Sequence, residues 1–90
     1  MTMAERSKRF RRFIELYDKL DDFAATSNEI EDNGGDERWL AKIDKKFDET
    51  NSILKAEYGV SFSDPAAQLL RLAANTLAFE KILNSIGGVK

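Results

Sequence analysis

Asp64-Pro65-Ala66-Ala67-Gln68-Leu69-Leu70-Arg71-Leu72-Ala73-Ala74-Asn75-Thr76-Leu77-Ala78-Phe79-Glu80-Lys81-Ile82-Leu83-Asn84-Ser85-Ile86-Gly87-Gly88 is the stretch on which the fold turns. Asp64 is a good N-cap, Pro65 gives up an N–H that the first helical position leaves unpaired anyway, and the paired glycines stop the helix. The spacing predicts a helix over about 65–86. Projected at about 100° per residue, Leu69, Leu70, Ala73 and Leu77 share one face, and Leu72, Phe79, Ile82, Leu83 and Ile86 gather on roughly the opposite one. A helix at the edge of a small bundle buries one stripe. A helix with two is either central to its own fold or covered by a partner, and the two cases look alike in sequence.

Gly59-Val60-Ser61-Phe62-Ser63 precedes this helix. The alternation resembles a strand, but no second strand exists to pair with it, so it reads as extended loop. Before it, Asp36 and Gly59 bracket a helix over about 37–58, whose stripe is Trp39, Leu40, Ile43, Phe47, Thr50, Ile53 and Leu54. Asn33-Gly34-Gly35 breaks the chain, and upstream of it Thr2-Met3-Ala4-Glu5 fits a capping box that opens a first helix. Phe10, Phe13, Ile14, Tyr17, Leu20, Phe23 and Ala24 give that helix its apolar face. Glu31 and Asp32 would oppose the dipole at its C-terminus, so regular helix is expected to fray near Ser27 or Asn28, giving a span of about 3–28. The simplest closure is an all-α domain over residues 1–90, a three-helix up-down-up bundle whose third helix is apolar on two faces.

The chain has 90 residues, 14 Lys plus Arg against 16 Asp plus Glu, and no Cys or His. A chain of this mass buries about 64% of its unfolded surface, enough for one modest core. Without Cys or His, the commonest zinc ligands, the imidazole base and the thiolate nucleophile are all missing, which excludes most metalloenzyme and hydrolase chemistry. No run approaches the roughly 20 apolar residues of a membrane span, and the N-terminus has no apolar leader, so a cytoplasmic location is expected. The net charge of -2 conceals a segregation. Residues 1–20 carry six cations and three anions, whereas residues 21–37 carry seven anions and no cation. In an antiparallel pairing of the first two helices, Asp18, Asp21 and Asp22 are expected near Lys42, Lys45 and Lys46, and Arg9, Arg11 and Arg12 near Glu49 and Glu57; exposed pairs of this kind orient more than they stabilise.

Three classes of function can be weighed on these residues. The first is a non-enzymatic protein-binding module, of the regulator, inhibitor, immunity or assembly-chaperone type among bacterial and phage accessory proteins. It would bind a protein partner or a second copy through Leu72, Phe79, Ile82, Leu83 and Ile86. The second is a nucleic-acid-binding accessory protein that uses Lys8, Arg9, Arg11 and Arg12, which point away from Phe10 and Phe13 and suit phosphate. No recognition-helix motif accompanies them. The third is an Mg²⁺-dependent all-α phosphohydrolase built on Asp18, Asp21, Asp22, Asp44 and Asp48, but Glu-x-x-Glu is absent and Lys45 and Lys46 stand beside Asp44 and Asp48. The expectation is therefore no catalytic residues, no metal and no cofactor. An EF-hand fails too: with Gly34 at position six, Leu40 falls where the bidentate Glu belongs.

Overall fold

A computed structural model describes residues 2–87. Four α-helices follow one another: α1 (Met3–Asp32), α2 (Glu37–Tyr58), α3 (Pro65–Arg71) and α4 (Thr76–Gly87). The described residues contain no strand. The all-α class is as expected; the three-helix count is not, because the helix expected over 65–86 is divided by residues 72–75.

α1 begins at the capping box: the Glu5 N–H donates to Thr2 Oγ1 (3.2 Å) while the Thr2 N–H donates to Glu5 Oε1 (3.4 Å). Its end lies four residues beyond the expected fraying point. The Gly35 N–H reaches the Ile30 carbonyl at 2.7 Å and the Gly34 N–H reaches that of Glu31 at 3.1 Å. This is a Schellman closure, and it satisfies carbonyls that would otherwise be orphaned next to Glu29, Glu31 and Asp32. Hydrogen-bond satisfaction outweighs the unfavourable dipole there. Gly34 takes φ +66°, and a Cβ on Gly35 would run into the Ile30 side chain and stand 2.8 Å from its carbonyl oxygen. Both glycines are therefore required, for different reasons. α2 matches its expected span, opened by the Asp36 carboxylate accepting from the Arg38 N–H and closed by Gly59 at φ +75°.

α1 and α2 form a long antiparallel hairpin, and the molecule measures 47 × 24 × 20 Å. α3 and α4 lie against its open end. Phe13, Leu20, Leu54, Leu70 and Phe79 are fully enclosed there, with Leu16, Tyr58, Val60, Ala67 and Leu83 completing the core. Phe79 meets Phe10 (5.1 Å between ring centroids), Phe13 (5.4 Å) and Tyr58 (6.2 Å). The loop before α3 contributes too. Val60 is buried, and Phe62 inserts between Tyr17 (4.8 Å) and Phe47 (5.6 Å), with its N–H held by Asn51 Oδ1 at 2.8 Å.

The break at 72–75 has a geometric cause. Leu70 and Phe79 are nine residues apart, so on a straight helix they would face opposite directions at about 100° per residue. Both are fully buried in the same cluster. Only a bend puts both on one core, and Asn75 makes it: its side chain accepts from the Ala78 N–H at 2.9 Å and its carbonyl from the Phe79 N–H at 3.0 Å, opening α4.

Candidate interaction surface

The bend redistributes the two apolar stripes of residues 65–86. α3 turns Ala67 and Leu70 inward, and α4 turns Phe79 and Leu83 inward with Ile82 and Ile86 packed half-buried behind them. Four of the five residues expected to bind a partner are thus occupied within the fold. Phe79 is fully enclosed and Leu83 is 6% exposed, which takes both out of any surface. Leu72 alone stands free, at 78% exposure beside the turn. Leu69 and Leu77, placed by sequence on the other stripe, are left outside with it at 56% and 68%. Leu69 and Leu72 are neighbours on one helical face at a spacing of three. Leu77 borders a small hollow of 110 Å³ that it shares with Met3, Arg6, Thr76 and Glu80. Met3 is itself 73% exposed, so the hollow has two apolar walls from different helices.

The basic segment of α1 is divided as well. Arg12 donates two hydrogen bonds of 2.7 Å to the carboxylate of Glu57, which holds that carboxyl below its usual range and raises the guanidinium. Arg9 stands 3.5 Å from Glu80, whose side chain is only 13% exposed, and its carbonyl accepts from the Tyr58 hydroxyl at 2.8 Å. Burial pushes the Tyr58 phenol up to about 12. Lys8 and Arg11 face solvent, and with Arg12 and Glu15 they border a shallow depression of 260 Å³. Two of the four cations expected to read phosphate are thus engaged by carboxylates. The four do not act as one free patch.

The carboxylates of the hairpin also part company. Asp18 pairs with Arg71 of α3 at 2.9 Å, not with a lysine of α2. Among the described residues, no ion pair joins Asp18, Asp21 or Asp22 to Lys42, Lys45 or Lys46. Of the pairs expected between the basic segment and α2, Arg12 with Glu57 forms. Among the described residues, no group of three or more carboxylates is placed to hold a metal ion. Nor is any described helix long and apolar enough to cross a membrane.

No family model, curated protein or solved structure matches this chain.

Sequence reasoning missed Leu69 and Leu77 as candidates because it treated residues 65–86 as straight. The one local signal of the bend was Asn75-Thr76, a cap-forming pair inside an otherwise apolar helical run.

Proposed function

We propose that this protein is a non-enzymatic helical module of the cytoplasm that binds another protein through the corner between α3 and α4. The observation that carries the reading is the exposure of three leucines within nine residues, Leu69, Leu72 and Leu77, at 56%, 78% and 68%. Single exposed leucines are ordinary, but three around one turn, with Met3 beside the last, form the kind of apolar surface that protein partners cover. The neighbouring Arg6 and Glu80 give its edge a polar rim, as interfaces have.

The test is affinity co-purification from the native cell alongside the Leu72→Glu/Leu77→Glu double variant, with sedimentation of both proteins alone. All three leucines are exposed, so the variant keeps wild-type helicity. A partner, or a self-associated form, that is present for wild type and lost with the variant supports the reading. A partner retained equally by the variant, or a wild type that stays monomeric and recovers nothing, refutes it. Recovery of nucleic acid with a steep salt dependence would transfer the function to the basic segment of α1.

A further inference from the structure

The hairpin outruns the helices that cover it. α1 is about 45 Å long at 1.5 Å per residue, close to the full 47 Å of the molecule, while α3 and α4 seat on its first half through Phe10, Phe13 and Asp18. Phe62 closes that covered core between Tyr17 and Phe47. Past Phe62 the seam between α1 and α2 continues with no helix over it among the described residues. A groove of 220 Å³ opens there, lined by Phe23, Ala24, Ser27, Asn28, Asp44 and Phe47. Phe23, Ala24 and Phe47 are only half-buried. The groove prolongs the path along which α3 and α4 already pack, so its shape suits another helix. Its lining on α1 runs from Phe23 to Asn28, about 9 Å or somewhat more than one and a half helical turns.

Charge distinguishes what would fit. At about 100° per residue, Asp21 and Asp32 stand on the groove side of α1, and Glu37, Asp44 and Asp48 on the groove side of α2. Lys42, Lys45 and Arg38 project from the opposite side of α2, and Lys46 and Lys19 from its outer flank and that of α1. Two contacts fix these flanks: Asp44 lines the groove, and Asn51, on the same edge, holds the Phe62 N–H. An apolar floor with rims of a single sign selects a partner of the opposite sign.

We propose that this groove docks a basic amphipathic helix of a partner protein, its apolar stripe seated between Phe23 and Phe47 and its Lys or Arg flanks against Asp21, Asp44 and Asp48. A second copy of this chain supplies no such helix, because the basic segment of α1 already commits Phe10 and Phe13 to its own core. This site is separate from the leucine corner, so either can fail without the other.

The experiment uses a fluorescent 14-residue Leu/Lys peptide with leucines at i, i+3, i+4 and i+7, and an isomer with Glu in place of Lys. Anisotropy should show the Glu isomer binding at least about tenfold more weakly, and Asp44→Lys/Asp48→Lys and Ala24→Arg should each weaken the Lys peptide by about tenfold or more. Leu72→Glu/Leu77→Glu should leave its affinity unchanged. Amide shifts on binding should centre on Phe23, Ala24, Ser27 and Phe47. The two aspartates are exposed, so their variant tests the site even where Ala24→Arg disturbs the fold. Shifts centred elsewhere, unchanged affinity in the Asp44/Asp48 variant, no binding at roughly 1 mM, or a homodimer that Ala24→Arg dissociates would each overturn the proposal.

Discussion

Replacing Phe79 by alanine separates a core residue from a partner-binding one, since sequence alone supports either role. The ring is fully enclosed and lies within 5.1 to 6.2 Å of Phe10, Phe13 and Tyr58. Truncating an enclosed phenylalanine costs about 3–5 kcal/mol, made up of lost transfer energy and the cavity left behind. A 90-residue domain has about 5–13 kcal/mol in total at 0.05–0.15 kcal/mol per residue, so Phe79→Ala removes roughly a quarter or more of what holds the fold. Urea denaturation followed by circular dichroism measures this, with Leu77→Ala as the exposed comparison, expected within about 0.5 kcal/mol of wild type. A loss below about 1 kcal/mol for Phe79→Ala would refute the packing described here and return this residue to the surface.

Gly35→Ala should destabilise the hairpin more than Gly34→Ala on steric grounds, because its Cβ meets the Ile30 side chain and carbonyl whereas that of Gly34 meets only backbone strain; thermal melts of the two variants rank them. The Glu57 carboxyl sits below its usual value of 4.5 when folded, so the stability it gives is present above that value and fades as pH falls through the lower folded one; Glu57→Gln should flatten the acid limb of a melting curve measured from pH 3 to 7. Tyr58 behaves in the opposite sense. Its phenol is raised from 10.0 to about 12 on folding, so its contribution is intact below 10 and lost as pH rises towards 12, and Tyr58→Phe should unfold less steeply in that alkaline range.

How far the sequence could be read depended on whether a local signal or a distant contact fixed each boundary. α2 was legible at both ends because Asp36 and Gly59 act within their own turns. The end of α1 was misjudged: the visible signal, negative charge near a C-terminus, is weaker than the paired hydrogen bonds of Gly34 and Gly35 that overrule it. The break at residues 72–75 was hidden for a deeper reason. Ala73 and Ala74 favour helix, and beyond the Asn75 cap what opposes them is the demand that Leu70 and Phe79 share a core, a demand set by residues such as Phe13 and Leu20 about fifty or more positions away. The candidate surface suffered accordingly. Leu72 was legible as exposed apolar area, but Phe79 and Leu83 had to be returned to the core, with Ile82 and Ile86 half-buried against it, and Leu69 and Leu77 came forward only with the bend.

That bend also sets how this fold would go wrong. Residues 72–75 contain neither proline nor glycine, and tertiary packing keeps them turned against their own helical preference. Once Phe79 and Leu83 leave their pocket, only the Asn75 cap resists straightening, and α3 and α4 can fuse into a rod of about 35 Å at 1.5 Å per residue. Such a rod carries α4 away from its own hairpin and presents it to the vacated pocket of a neighbour, which is the route to domain-swapped dimers. A crowded refolding mixture is where that exchange competes best with closure onto the same chain, and a proline placed in the turn would bar it.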